Sequence, residues 1–199
     1  LAVFKGTEIV HSEIVRDDLY STIEKLKEKF KISILASASS GKDLNIPNNL
    51  KIIKIDSSFK TAFRNKYQSI NTLGIDRIAN VAQANFKFQT QDLLIIDVGT
   101  CITYDILSKN IYLGGAITPG PELRFRSLHN FTDKLPLVER SSGGLFPGTN
   151  TNDSISSGIY EGIIGEMERI ISKCLNKYPE LQVIFTGGGH ESFVDGLKT

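Results

Sequence analysis

One apolar segment, residues 93–98, constrains more than any other feature what this chain of 199 residues can fold into. The segment reads LLIIDV and is followed directly by Gly99 and Thr100. A strand with one face in water alternates apolar and polar side chains, whereas a strand covered on both faces is almost continuously apolar. We therefore expect this strand at the centre of a sheet. Short strands and helices alternate along the rest of the chain, which predicts an α/β fold with mixed sheets flanked by helices.

The predicted elements form two runs that resemble each other. The first run begins with a strand pair at residues 1–15, which turns at Lys5-Gly6-Thr7. A helix at 19–30 that Asp17 and Asp18 can cap follows, and then two short strands at 32–36 and 51–55. The second run begins with the central strand at residues 93–98 and a strand pair at 103–116, which turns at Ser108-Lys109-Asn110. A helix at 119–131 that Pro119 opens, a long helix at 154–175 and a last strand at 181–186 follow. The similar strand pairs predict a duplicated fold, divided into residues 1–90 and 91–199.

A duplicated fold predicts one more element, which lies outside the sequence. In the second run, Asp97-Val98-Gly99-Thr100 comes shortly before the turn of the strand pair. The equivalent acidic, glycine-containing turn of the first run would lie just upstream of Leu1. The chain also opens on apolar strand residues without an initiator methionine. We therefore expect a fragment of a somewhat longer protein.

Composition and charge exclude several classes of protein. The 23 basic and 22 acidic residues leave a net charge of +1, which removes the electrostatic case for nucleic-acid binding. No apolar run approaches the roughly 18 residues of a membrane span, and no signal peptide is visible. Cys101 and Cys174 are far apart, which argues against a disulfide framework or a zinc cluster. We expect a soluble cytoplasmic protein with neither nucleic acid nor membrane as a partner.

The strongest local signal for chemistry is the turn after the central strand. The strand ends in Asp97, and the backbone amides of Gly99 and Thr100 can face a phosphate. An aspartate beside such a turn suits a cation, because phosphate and Mg²⁺ arrive as a pair and hard ions prefer oxygen ligands. The alternative is an ordinary hairpin in which Asp97 fixes the turn through backbone hydrogen bonds. The pattern alone leaves both interpretations open.

A second candidate is the pair Asp76-Arg77, just after Gly74 and at the start of an apolar helical stretch. In a functional interpretation Asp76 is a general base and Arg77 holds an anion. In the simpler interpretation Asp76 meets the positive end of a helix and Arg77 pairs on the surface. Without further context the pattern favours the simpler interpretation.

Glycines mark two further places. Gly187, Gly188 and the following glycine come directly after the last predicted strand, where a flat ligand can approach the backbone, although a flexible turn explains them equally well. Gly158, Gly162 and Gly165 lie within the long helix, where each glycine costs about 1 kcal/mol against alanine. We attribute these three to close helix packing, within the chain or across a dimer.

Taken together, these motifs resemble the type III pantothenate kinases, members of the acetate kinase, sugar kinase, Hsp70 and actin superfamily. The matching stretches, in the order of the family, are Tyr67, Leu73-Gly74-Ile75-Asp76-Arg77, Asp97-Val98-Gly99-Thr100 with Thr103 and Asp105, Gly114-Gly115-Ala116-Ile117-Thr118-Pro119-Gly120, Leu135-Pro136, Gly148-Thr149-Asn150-Thr151 and Thr186-Gly187-Gly188. Each motif alone is weak, but their common order is specific. Cys101 departs from the family, since alanine is common there.

The resemblance implies a cytoplasmic enzyme of two ribonuclease H-like lobes, a duplicated actin-like ATPase fold. Such an enzyme uses ATP to phosphorylate pantothenate in the first step of coenzyme A synthesis, and it forms homodimers. Asp76 matches the family's proton acceptor. The residues that match the pantothenate-binding segment and its further contacts are Tyr67, Gly74, Ile75, Asp76, Arg77 and Thr151.

The remaining positions matched by the resemblance concern ATP and cations. Thr100, with Gly99, Gly187 and Gly188, matches the nucleotide side of the site. Asp97 matches the ligand of a monovalent cation, K⁺ or NH₄⁺, and Asp105 would support that cation or the Mg²⁺ of ATP. The family's first phosphate turn should lie immediately before Leu1. Two alternatives remain: a non-catalytic regulatory relative of the same fold, and a kinase for another small hydroxylated substrate.

Overall fold

The structure of the chain, a computed structural model, describes residues 1–15, 17–38, 46–47, 50–56, 59–88, 92–139 and 146–197. The chain divides into two compact units. The first consists of Leu1–Lys60 with Asn71–Asp76, and the second of Thr61–Ile70 with Arg77–Thr199. Sheets flanked by helices confirm the predicted mixed α/β class. The duplication and the division at residue 90 stay predictions.

In the first unit, two strands pair in opposite directions around a glycine turn. Strands β1 (Ala2–Lys5) and β2 (Glu8–Ser12) are antiparallel, as predicted, although β2 ends earlier than the predicted strand. The turn between them requires glycine, because Gly6 has a φ of +63°, in the left-handed region.

The rest of the first unit is a helix and a second pair of strands. Helix α1 (Leu19–Phe30) begins after Asp18, whose carboxylate accepts a hydrogen bond from the Ser21 amide at 3.0 Å. Asp18 thereby provides the predicted cap. Strands β3 (Ile34–Ala38) and β4 (Lys51–Ile55) run parallel. The bounds of β4 are those predicted, whereas β3 begins two residues later than predicted.

The second unit contains a five-stranded sheet of order β5-β8-β7-β6-β9. Its strands are β5 (Arg64–Asn65), β6 (Leu93–Val98), β7 (Cys101–Ser108), β8 (Ile111–Pro119) and β9 (Gln182–Thr186). Among the described residues, the helices after α1 are a short 3-10 turn (Ile70–Thr72), α2 (Ile75–Phe88), α3 (Pro121–Asn130), α4 (Thr151–Lys177) and α5 (Glu191–Val194). The central place predicted for β6 is confirmed, since it lies between antiparallel β7 and parallel β9.

The two faces of β6 point to different neighbours. Leu94, Ile96 and Val98 belong to the main apolar core, together with side chains of α3, α4 and α5. Ile95 and Asp97 point the opposite way, towards the part of α2 that belongs to this unit. Because side chains alternate along a strand, the carboxylate of Asp97 comes out on the α2 face at the end of the strand. The long helix α4 extends three residues before and two beyond the predicted 154–175.

Two boundaries differ from the prediction for a local reason. Pro119 is the last residue of β8, and α3 begins at Pro121, so the helix start predicted at Pro119 was wrong by two residues. Gly120 between the prolines is extended, with φ −71° and ψ 174°. A residue that precedes proline avoids the helical region, which keeps Gly120 outside the helix. In the part of the chain that the structure describes, no helix has the length and apolar character to cross a membrane.

Candidate active site

Backbone turns with little side-chain cover lie at one edge of the five-stranded sheet. Strands β6 and β9 run parallel, with Asp97 opposite Thr186, so the turns that follow them emerge side by side. Gly99 and Thr100, between β6 and β7, are both exposed. Their turn is closed by a 3.0 Å hydrogen bond from the Gly99 amide to the Cys101 carbonyl.

The turn after β9 is packed directly against the strand end that carries Asp97. Gly187 has a φ of +86°, and a Cβ atom there would lie 2.3 Å from Asp97 Oδ1 and 2.6 Å from the Val98 carbonyl oxygen. The Gly189 amide donates a 3.0 Å hydrogen bond to that same carbonyl. Only glycine fits at position 187, both for its φ and for the space. Gly188 is exposed, with nothing within 4 Å of the position of a Cβ atom.

A third glycine closes the other side of this edge. The Gly120 amide donates a 3.0 Å hydrogen bond to the Thr100 carbonyl, and a Cβ atom on Gly120 would lie 2.3 Å from the Gly99 carbonyl oxygen. We call Gly99, Thr100, Gly120, Gly187 and Gly188 the glycine edge. Gly99, Thr100 and Gly188 are exposed there, whereas Gly120 is buried. Exposed glycine backbone permits the close approach of a phosphate. The Gly99 amide donates to the Cys101 carbonyl, so the expectation that this amide faces a phosphate was wrong.

Asp97 lies beside the glycine edge with one carboxylate oxygen fixed. The Asn80 side-chain amide donates to Asp97 Oδ2 at 2.7 Å, and Oδ1 faces the backbone of Gly187. Sequence reasoning missed Asn80. Helical spacing could have indicated this residue, because Asn80 follows Arg77 by three positions and therefore lies on the same face of α2.

A second polar cluster lies on the same face of the sheet. The Arg77 guanidinium donates to Asp105 Oδ1 from Nη2 at 2.7 Å and from Nε at 3.0 Å. Only 3% of Arg77 and 1% of Asp105 are exposed. The simpler interpretation, in which Arg77 pairs on the surface, was therefore wrong. Asp76 does lie in the first turn of α2, as that interpretation has it.

Tyrosines surround this buried ion pair. The Tyr112 hydroxyl donates to Asp105 Oδ1 at 2.7 Å. The Tyr67 ring stacks on Tyr112 with centroids 6.1 Å apart and lies 5.6 Å from the Arg77 guanidinium carbon. Gly114, with a φ of +97°, makes room for that ring, because a Cβ atom there would lie 3.2 Å from Tyr67 Cδ2. Arg77 is thus held by ionic, hydrogen-bonded and aromatic neighbours.

Burial and ion pairing shift the pKa values in this cluster. Burial by itself lowers the pKa of Arg77, but the hydrogen bond and charge of Asp105 outweigh it, so the pKa lies above its ordinary value. Burial raises the pKa of Asp105, and the hydrogen bonds from Arg77 and Tyr112 counter part of that shift. Burial also raises the pKa of Tyr112, which keeps its phenol a hydrogen-bond donor.

The other predicted site residues lie in other places. Gly74, Ile75 and Asp76 belong to the first unit; Ile75 is buried, Asp76 is exposed, and both open helix α2. Thr151 is the first residue of α4, after Asn150, whose side chain accepts from the Asp153 amide at 3.0 Å. It lines a cavity of about 440 Å³. The structure therefore brings together Asp97 with the glycine edge, and Tyr67 with Arg77 and Asp105.

The comparison with known proteins shows the family to which the chain belongs. The model of the type III pantothenate kinase family matches residues 49–173, which include both polar clusters except the turn after β9. The type III pantothenate kinase of Christiangramia forsetii is 41% identical over 99% of this chain and 84% of its own length. That of Flavobacterium johnsoniae is 38% identical over the same shares. The chain belongs to the type III pantothenate kinase family.

A solved structure resembles this family member as well. It is a Baf family transcriptional activator from Campylobacter jejuni, 25% identical, with a TM-score of 0.51 over 79% of this chain and 75% of the other. The family model and the curated relatives confirm the resemblance to the type III pantothenate kinases that the order of the motifs indicated.

Asp97 is the side chain beside the glycine edge that could hold a cation. Among the described residues, no group of three or more His, Cys, Asp and Glu side chains is placed to hold a metal ion. Asp97 Oδ1 instead faces a glycine turn that any Cβ atom would fill. One carboxylate oxygen with neighbouring carbonyl oxygens suits a hard cation that keeps other ligands.

Proposed function

We propose that this kinase transfers the γ-phosphoryl group of ATP to the primary hydroxyl of pantothenate, the first step of coenzyme A synthesis. The observation that carries the proposal is the match to type III pantothenate kinases over 99% of the chain. The curated relatives named here are all described as kinases, which favours catalysis over the regulatory alternative. Phosphoryl transfer needs positioning and charge neutralisation more than covalent chemistry, and carboxylates, cations and backbone amides supply both.

Asp76 is the proposed general base. Its carboxylate accepts the proton of the pantothenate hydroxyl as that oxygen forms a bond to the γ-phosphorus and the bond to the β-phosphate oxygen breaks, releasing ADP. The base needs to lie within hydrogen-bond reach of the hydroxyl. Asp76 is an exposed residue in the first turn of α2, which supports this role.

The proposed pantothenate contacts are the base, its neighbours in the motif and two residues elsewhere in the chain. They are Tyr67, Gly74, Ile75, Asp76, Arg77 and Thr151. For Asp105 we propose a role different from metal support: it holds the Arg77 guanidinium, with which it shares two close hydrogen bonds. A guanidinium held in this way is preorganised to face an anionic substrate group without losing side-chain freedom on binding.

The proposed nucleotide contacts are Gly99, Thr100, Gly187 and Gly188. Support comes from the exposed backbone of Gly99, Thr100 and Gly188 at the glycine edge. Mg²⁺ would arrive with the phosphates of ATP, because it keeps several waters and binds proteins through few carboxylates.

Asp97 is the proposed ligand of the monovalent cation. We expect Asp97→Asn to remove most of the stimulation by K⁺ over Na⁺, because the amide keeps the size of the side chain but lacks its charge. The measurement is the initial rate in K⁺, NH₄⁺ and Na⁺ at fixed ionic strength. Asp133→Asn, which removes an exposed charge, is the control and should respond to K⁺ as the natural protein does. An unaltered K⁺ response in Asp97→Asn would remove Asp97 from this role.

We further propose that the first unit is a lobe with the strand order of the second. In the second unit β6 lies between the strand pair β7/β8 and the parallel strand β9. In the first unit β1/β2 and β3/β4 form separate sheets, and a cavity of about 350 Å³ is lined by residues 2–4 and 30–36, from β1 and β3. With the same strand order in both units, the protein would consist of two ribonuclease H-like lobes.

A homodimer is the proposed assembly. Among the residues that the structure describes, none lies within 4 Å of a Cβ atom placed on Gly158 or Gly165. A Cβ atom on Gly162 would have Arg124 Nη1 as its neighbour there, at 3.8 Å. All three are exposed on one side of α4. Packing of α4 across a dimer would account for these three glycines.

The experiment that tests the proposed reaction identifies its product. The full-length protein is incubated with ATP, Mg²⁺ and K⁺ and a panel of small alcohols that includes pantothenate, and products are resolved by mass spectrometry. We expect a product heavier by one phosphoryl group from pantothenate and not from the other alcohols. Phosphorylation of another alcohol in preference to pantothenate would leave the kinase but overturn its substrate.

A further inference from the structure

A polar network on the opposite face of the sheet has no part in the reaction described so far. Arg124, on α3, donates from Nη2 to Glu166 Oε2 on α4 at 2.7 Å. Its Nε donates to the Pro119 carbonyl at 2.8 Å. The fork of one guanidinium therefore ties the end of β8 to the long helix α4.

Glu166 is held firmly at the centre of this network. Its Oε1 accepts from the Tyr104 hydroxyl at 2.6 Å and from the Thr118 hydroxyl at 2.7 Å. Burial by itself raises the pKa of Glu166, but the hydrogen bonds from Tyr104, Thr118 and Arg124 outweigh it and the pKa is lowered. The carboxylate is therefore ionised at neutral pH and fixes Arg124 in place.

The network reaches the glycine edge through two consecutive residues. Pro119, which accepts from Arg124, pairs with Cys101 across the sheet. Gly120, the next residue, donates to the Thr100 carbonyl and has no room for a Cβ atom against Gly99. Movement of the junction between β8 and α3 would therefore move Gly99 and Thr100 with it.

We propose that Arg124 is a positioning residue for the nucleotide: it fixes the Pro119–Gly120 junction and thereby holds the Gly99–Thr100 turn in the form that binds phosphate. The inference rests on the proposed function, which assigns that turn to ATP. Arg124 acts through the junction and does not itself touch the nucleotide. If Arg124 only stabilised the packing of α3 against α4, its loss would lower the stability of the protein and would not weaken ATP binding in particular.

The kinetic test compares two arginines of the same helix. Arg124→Gln loses the guanidinium that bonds both Glu166 and the Pro119 carbonyl. Arg126→Gln removes an ion pair with Glu122, in which the Arg126 side chain is 62% exposed and the Glu122 side chain 52% exposed. We expect Arg124→Gln to raise the KM for ATP about tenfold, as expected for the loss of about one charge-assisted hydrogen bond, with the KM for pantothenate within about twofold. Arg126→Gln should leave both unchanged. Arg124→Lys retains the charge but not the fork, so it should remain defective.

A second readout does not depend on turnover. Cys101 is exposed beside the turn, whereas Cys174 is buried. Iodoacetamide labelling of Cys101, followed by peptide mass spectrometry, reports the state of the turn. We expect a nonhydrolysable ATP analogue to slow labelling in the natural protein and in Arg126→Gln, and to slow it much less in Arg124→Gln and Arg124→Lys at the same concentration.

The outcomes separate this inference from the proposed function. Absence of nucleotide protection at Cys101 in the natural protein would overturn both, because the turn would not bind ATP. Protection in the natural protein with equal protection and an equal KM for ATP in both Arg124 variants would overturn the positioning role alone. An equal rise in the KM values for ATP and pantothenate would indicate that Arg124 only stabilises the packing of α3 against α4, and it would also overturn the positioning role.

Discussion

Asp76→Asn will abolish nearly all phosphorylation of pantothenate while leaving its binding largely intact. The amide keeps the shape of the side chain, so contacts with the substrate are retained, but it cannot accept the hydroxyl proton. Loss of a general base lowers turnover by about 10²- to 10⁴-fold. The measurement is kcat together with the Kd for pantothenate from calorimetry.

The control for this prediction is another exposed aspartate of the first unit. Asp17→Asn removes the same charge from an exposed position and should leave kcat unchanged. Turnover in Asp76→Asn within a few-fold of the natural protein would remove Asp76 from the role of base. A loss of binding equal to the loss of turnover would make it a binding residue instead.

Asp105→Ala will strongly destabilise the second unit. The substitution removes the carboxylate that pairs with Arg77, a residue that is only 3% exposed. Removing one partner of a buried ion pair lowers the free energy of unfolding by about 3–5 kcal/mol. Tyr112 also loses the acceptor of its hydroxyl. The measurement is urea unfolding followed by circular dichroism.

The matched comparison for Asp105→Ala is Glu122→Ala, which breaks the exposed pair with Arg126. We expect a change of less than about 1 kcal/mol there. The double variant Arg77→Met with Asp105→Leu should recover much of the stability, because it leaves no buried charge unpaired. A loss of less than 1 kcal/mol in Asp105→Ala, or a double variant less stable than the single one, would contradict the account of this pair.

The sequence predicted the elements of the fold well where a single pattern decided them. The apolar run of β6 could only be central, and the parallel strand β4 was bounded correctly at Lys51 and Ile55. The start of α3 could not be decided in this way, because Pro119 and Pro121 can each open a helix. The choice depends on the pairing of Pro119 with Cys101, which extends β8 to its last residue.

The site was predictable only in part, for a similar reason. Asp97 is adjacent in the sequence to the turn of Gly99 and Thr100, so their proximity can be predicted without knowledge of the tertiary structure. The pairs Arg77–Asp105 and Asn80–Asp97 join α2 to the sheet across 28 and 17 positions of the chain. Which residues meet there depends on how α2 lies over β6 and β7, and helical periodicity alone does not fix that.

The central claim is that this member of the type III pantothenate kinase family phosphorylates pantothenate, and one measurement tests it most directly. The full-length protein is assayed for ADP release in a coupled reaction, with and without pantothenate, and with K⁺ or Na⁺ as the salt. We predict release that depends on pantothenate and is faster in K⁺. Release that is absent in both salts, or that is the same without pantothenate, would contradict the claim.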